Sequence, residues 1–210
     1  MNPGRLALIF DFGNVVAHFD YNRAADVLGR RAGLNGAALM ERVRGRGFAP
    51  LVREFESGRI AAEEFSRGMA ELAGLEFSHA EFAAAWADIF TLNEPVARLV
   101  AELKGCGHRL VLGSNTNDLH AAQFRRQFAE TLAHFDRLVL SYEVGHVKPA
   151  SEFYLACATA ADAAPADCVF IDDLAENVEG ARAAGLAALL YREPAELRAD
   201  LRRLGVALQA

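Results

Sequence analysis

Five short, largely unbroken apolar runs, at residues 6–10, 109–113, 137–140, 168–171 and 187–191, limit the folds open to this chain. None alternates apolar with polar residues, so each is expected to be covered on both faces, as strands inside a parallel sheet are. Helical periodicity fills residues 117–128, 151–160 and 176–184, between the last four runs. Strand–helix–strand repeats of this kind predict an α/β chain with a Rossmann-like open parallel sheet.

The first connection breaks that rhythm. Roughly ninety residues separate the first run from the second, far more than the later crossovers use. They carry amphipathic helical segments at 23–32, 36–43, 61–72 and 79–90, with Gly33, Gly58 and Gly74 where helices would end. Trp86 and Phe90 share one face of the last segment and read as its core. The expectation is an inserted all-α helical cap, residues 17–92, on a core built from residues 1–16 and 93–210. The chain rejoins the core near residues 93–95, where Glu94 precedes a proline and is biased away from helix.

Composition removes several classes of function. A chain of 210 residues, 52% hydrophobic and 24% charged, is a globular protein with room for one good core and a smaller insert. The net charge of −6 and the lack of a long basic stretch speak against a nucleic-acid partner. The densest basic cluster, Arg42, Arg44 and Arg46, reads more simply as a solvated helix face than as a grip on a second phosphate or a carboxylate. The run at 6–10 is too short for a signal-peptide core or a membrane span. Cys106, Cys157 and Cys168 are odd in number and lack metal-type spacing, so free thiols in the cytoplasm are expected.

In open α/β sheets, ligands bind beyond the carboxyl ends of the strands. The first run leads into Asp11-Phe12-Gly13-Asn14 and the second into Ser114-Asn115-Thr116-Asn117. Gly145-His146-Val147-Lys148-Pro149 follows the third, and Asp172-Asp173 the fourth. Each group alone has a plainer reading: Asp11 as a turn cap, Ser114 as a helix cap, Lys148 as a surface lysine. Only two of the 22 basic residues are lysines, however, which suggests a place at Lys148 where a compact charge suits better than a planar fork. Two adjacent carboxylates at the end of a buried strand repel one another unless a cation intervenes. A hard divalent ion such as Mg2+ is the obvious remedy, the alternative being that both cap the next helix.

In that order the segments FDFGNVV, LGSNTND, GHVKP and FIDDLAENVEGARAAG resemble the four motifs of the haloacid dehalogenase (HAD) superfamily. The likeness spans nearly the whole chain and points to its phosphatases with a helical cap, similar to the bacterial α-D-glucose-1-phosphate phosphatase group and the phosphatase domain of soluble epoxide hydrolase. The resemblance implies a Mg-dependent phosphatase acting on a small phosphorylated metabolite, with a sugar phosphate as one candidate. It implies Asp11 as a nucleophile that forms an aspartyl-phosphate. It further implies Mg2+ held by Asp11, the Gly13 carbonyl and Asp173, with Asp172 in support and Asn177 orienting a metal-bound water. Ser114 and the Asn115 backbone N–H would bind phosphoryl oxygens, and Lys148 would offset their charge.

One position departs from the pattern. The family's usual second aspartate, two residues after the nucleophile, moves the proton to the leaving group and from the attacking water; here it is Gly13. General acid–base help is worth about 10²–10⁴-fold. Three readings stay open: His18 or Asp20 supplies the proton or lines the substrate pocket; the substrate has an easily expelled leaving group; or the protein binds phosphometabolites without turnover. A metal-independent, dehalogenase-type hydrolase is a further alternative, opposed by Asp172 and Asp173.

Overall fold

The computed structural model describes residues 6–209; residues 1–5, which open the expected core segment, and residue 210 lie outside the described residues. The chain begins with β1 (Ala7–Phe10) and β2 (Ala17–Phe19). It then passes through α1 (Tyr21–Gly29), α2 (Gly36–Arg44), α3 (Phe48–Glu56), α4 (Ala62–Ala73) and α5 (His79–Ala87) to β3 (Phe90–Leu92). Next come α6 (Glu94–Gly105), β4 (Arg109–Ser114), α7 (Asp118–Gln127), α8 (Ala129–Leu132) and β5 (Arg137–Leu140). The last elements are α9 (Ser141–Val144), α10 (Ser151–Ala160), β6 (Cys168–Asp172), α11 (Ala175–Ala183), β7 (Ala187–Leu190) and α12 (Pro194–Arg203).

The five expected runs form one parallel sheet in the order β5-β4-β1-β6-β7. Leu8 and Phe10 face one side, packing in a cluster with Leu99 and Leu103 of α6 and Leu197 and Leu201 of α12. Ile9, Val111 and Phe170 face the other, with Phe153 and Tyr154 of α10 and Val178 of α11. Both faces are covered, which is why the runs are continuous; each large side chain so buried contributes about 1.5–3 kcal/mol. Phe10, the last residue of β1, lies beside Leu112 and Ile171, so β6 ends one residue further and β4 two, at Asp172 and Ser114. The chain leaves β1 for β4 and β5 on one side and returns to β6 and β7 on the other. The strand order therefore reverses between β1 and β6, where open α/β sheets place their ligands.

The helices α1–α5 pack around aromatic rings, with Phe55 on Phe65 at 4.3 Å and Phe82 on Trp86 at 5.5 Å between centroids. Gly33, Gly58 and Gly74 have φ of 65°, 70° and 64°, as expected at helix ends. Several details differ from the sequence reading. The last helix of this group stops at Ala87, and Phe90 belongs instead to β3, which pairs antiparallel with β2. Phe90 and Trp86 are both buried, but on different elements. Aromatic and β-branched residues at Ile89, Phe90 and Thr91 suit an extended chain once a partner strand is present. Helix α3 was hidden by Gly45, Gly47 and Pro50, and α6 begins at Glu94 despite Pro95; a proline in a first turn costs no hydrogen bond that the helix would make. Helix α12 was also missed, its proline again standing in the first turn.

Arg42 and Arg46 donate to the carbonyls of Ala73 and Leu72 at 3.0 and 3.3 Å, favourable at the negative end of α4. That role accounts for Arg42 and Arg46 without a ligand, and Arg44 is exposed. The three cysteines are free. No helix among the described residues is long and apolar enough to cross a membrane.

Candidate active site

Asp11 is the first residue beyond β1, and its N–H continues the ladder to the Ile171 carbonyl at 2.8 Å. Its Oδ1 accepts the Phe12 N–H and the Lys148 Nζ, both at 2.7 Å. Oδ2 has no protein partner among the described residues and is the open oxygen of the carboxylate. Lys148 Nζ also donates to Asp172 Oδ2 at 2.7 Å, so one ammonium joins the ends of β1 and β6. It lies 5.5 Å from the centre of the Phe170 ring.

The loop that carries Lys148 is held on two sides. Asn115 accepts the Lys148 N–H at 2.8 Å and donates to its carbonyl at 3.2 Å. On the other side Pro149 lies against α11 at Gly180. A Cβ on Gly180 would come within 2.8 Å of Pro149 Cβ, and within 2.9 Å of both the Pro149 carbonyl and the Tyr154 hydroxyl. Only glycine lets the loop come this near. Ser114 is buried at the end of β4.

Asp172 is fully committed: Oδ1 accepts from the Leu174 N–H at 2.9 Å and from Asn177 Nδ2 at 3.0 Å, and Oδ2 takes the lysine. Asp173 is half-buried, and among the other described residues its side chain accepts from Asn14 Nδ2, at 3.2 Å. Asp11, Asp172 and Asp173 each offer an oxygen within 4.8 Å of the others. Hard oxygen donors this close fit a divalent cation, and Asp173 has the most capacity left for one. Charge points the same way, since a single ammonium stands against three carboxylates. Burial raises the Asp11 carboxyl to about 7, with Lys148 opposing and Asp172 adding to the rise. Burial would lower Lys148, but Asp11 and Asp172 outweigh it and hold the amine charged.

The structure does not bring His18 and Asp20 into this group. A Cβ on Gly13 would lie 3.0 Å from the Phe19 ring, so Phe19 faces the site. Adjacent side chains on a strand point oppositely, which sends His18 outward to solvent. Asp20 caps α1, accepting from the N–H and the side chain of Asn22 at 2.8 Å.

Next to the strand ends is a cavity of about 60 Å³, lined among others by Gly13, Phe19, Tyr21, Ser114, Asn115 and Glu56. Larger hollows, of about 600, 520 and 300 Å³, lie elsewhere, and none is lined by Asp11, Ser114, Lys148, Asp172 or Asp173. The sequence reading missed Glu56, the last residue of α3. One signal was available: a carboxylate at the negative end of a helix opposes the helix dipole and needs a reason to be there. Burial holds its carboxyl up to about 7, with Lys148 opposing. His120, which also lines the cavity, is fully used. Its Nε2 donates to the Trp86 carbonyl, leaving Nδ1 to accept from Asn117, both at 3.0 Å. Burial lowers His120 to about 3, so it stays neutral.

The chain as a whole is similar to known proteins. The chain is 25% identical over 201 residues to D-ribitol-5-phosphate phosphatase of Bacteroides thetaiotaomicron, covering 92% of this chain and 95% of that one. It is 28% identical over 225 residues to a phosphatase of Mycobacterium tuberculosis, covering 96% of each. The crystal structure of a HAD family enzyme from Bacteroides thetaiotaomicron, in complex with magnesium and inorganic phosphate, matches with a TM-score of 0.74 at 25% identity, over 90% of this chain and 95% of that one. Residues 6–185 match the model of the haloacid dehalogenase-like hydrolases. With the fold, the strand-end carboxylates and this match in agreement, the chain belongs to the haloacid dehalogenase-like hydrolase family.

Proposed function

We propose that this protein is a magnesium-dependent phosphatase of small phosphate esters, working through an aspartyl-phosphate on Asp11. The observation that carries this reading is the Lys148 ammonium, 2.7 Å from both Asp11 and Asp172, with Asp173 completing the acidic group. Lys148 holds Asp11 Oδ1 and leaves Oδ2 to attack phosphorus. Forming the P–O bond to Asp11 and expelling the alcohol splits one hard displacement into two easier ones, the second being hydrolysis of the acyl phosphate. Ser114 and the Asn115 N–H bind phosphoryl oxygens, and Lys148 offsets the charge gathered there. Asp11, the Gly13 carbonyl and Asp173 would hold the metal, while Asp172 steadies Lys148 and, through Asn177, the start of α11. Magnesium, when bound, supplies charge neutralisation and in-line alignment of the reacting groups.

A sugar or polyol phosphate is the favoured substrate class, on the support of the ribitol-phosphate relative. The test is hydrolysis of p-nitrophenyl phosphate with magnesium and with EDTA, for the wild type and Asp11→Asn. Activity is expected to need the metal and to fall by about 10⁴-fold or more on losing the nucleophile. Turnover that survives either change sinks the mechanism.

A further inference from the structure

Gly13 leaves the site without the carboxyl that would move a proton, and the Phe19 ring stands 3.0 Å from where a Cβ would be. The cavity that Gly13 shares with Ser114 and Asn115 has one carboxyl in its lining, that of Glu56. We propose that Glu56, reaching in from the end of α3, protonates the departing alcohol oxygen and then takes a proton from the attacking water. This rests on the phosphatase reading above.

Other protic groups in the cavity are less suited. Both nitrogens of His120 are engaged, and burial, together with the nearby Glu56 carboxyl, pushes the Tyr21 hydroxyl well above its ordinary range. The Glu56 carboxyl has no hydrogen-bond or ion-pair partner among the described residues, so its proton is free to move. Its backbone, by contrast, is fixed. The Glu56 carbonyl lies 2.6 Å from the Ser141 hydroxyl, which accepts the Thr116 N–H at 2.9 Å and stands 3.0 Å from the Thr116 carbonyl. One core hydroxyl thus registers the end of α3 against the loop that follows β4. A carboxyl that titrates at about 7 serves as both acid and base near neutral pH.

The step balances. Asp11 Oδ2 bonds to phosphorus as the P–O bond to the alcohol breaks. The alcohol oxygen keeps that electron pair and takes the Glu56 proton, leaving as ROH. Water then attacks the aspartyl-phosphate and gives a proton to the Glu56 carboxylate. The P–O bond to Asp11 breaks, phosphate departs, and both carboxyl groups return to their starting states.

The test compares the wild type with Glu56→Gln on two esters, both with magnesium: β-glycerophosphate, whose alkoxide needs a proton, and p-nitrophenyl phosphate, whose leaving group does not. The value of kcat/KM reports steps up to alcohol expulsion. It is expected to fall about 10²-fold or more for β-glycerophosphate and less than roughly threefold for p-nitrophenyl phosphate. The variant should also release a stoichiometric burst of nitrophenol as the aspartyl-phosphate accumulates. Similar losses on both esters, in a variant that melts no lower than the wild type, would overturn the assignment, as would a change in KM alone. A wild type inactive on both esters overturns the phosphatase reading itself, and this assignment with it.

Discussion

Replacing Glu56 with glutamine removes one ionisation from the cavity at nearly constant shape, and its effect on stability has a sign fixed by linkage. In the folded protein burial holds the carboxyl up to about 7, against an ordinary value of 4.5. The charged or titratable groups around it are Lys148, Tyr21 and His120, from the α9–α10 loop, α1 and α7. Between those two pH values the folded state keeps a proton that the unfolded chain releases. Wild-type stability from this group therefore falls as pH rises from 4.5 to about 7 and is level above that. One pH unit is worth about 1.4 kcal/mol, so the full penalty reaches roughly 3 kcal/mol at most, less where the cavity admits water. Glutamine carries no such penalty. Urea unfolding at a series of pH values should give a difference, variant minus wild type, that climbs by about 2–3 kcal/mol in favour of the variant between about pH 5 and 8. Asp11 and His120 also titrate differently in the folded state, but they are common to both proteins and cancel. The glutamine amide shifts the whole curve without tilting it. A flat difference, or one that falls with pH, would show that Glu56 is not held neutral.

Two glycines give further tests. Gly13→Asp restores the carboxylate usual in the family, but its Cβ meets the Phe19 ring at 3.0 Å; thermal unfolding should show a loss of about 1–3 kcal/mol, eased by adding Phe19→Ala. Gly180→Ala pushes against the Pro149 carbonyl at 2.9 Å and is expected to cost about 1–3 kcal/mol in urea unfolding while displacing Lys148 and lowering kcat; unchanged stability and activity would mean the loop has slack.

The sheet was legible because burial on both faces writes itself into a strand as an unbroken apolar run. Asp11, Ser114 and Asp172 were legible for a related reason: they stand where those runs end, and ends of parallel strands converge. The short strands β2 and β3, three residues each, hold too little pattern to be seen and exist because they pair with one another. His18 and Asp20 looked promising because they follow Asp11 closely in sequence. The alternation of β2 and the capping of α1 turn them elsewhere. Glu56 is the converse case, distant from Asp11 in sequence and brought to the cavity only by the packing of α3 on α9. No local pattern records that contact, apart from the electrostatic oddity of an acid at the end of a helix.

The Ser141 hydroxyl between Glu56 and Thr116 also says something about motion. The helical layer is tied to the sheet domain at a second place too, where His120 of α7 donates to the Trp86 carbonyl of α5. A swing therefore turns about the line through the two ties, and displacement grows with distance from that line. If the layer swings to admit an ester larger than the cavity, the far helices travel most and the end of α3 least. The entrance can then widen while the groups nearest the strand ends keep their alignment.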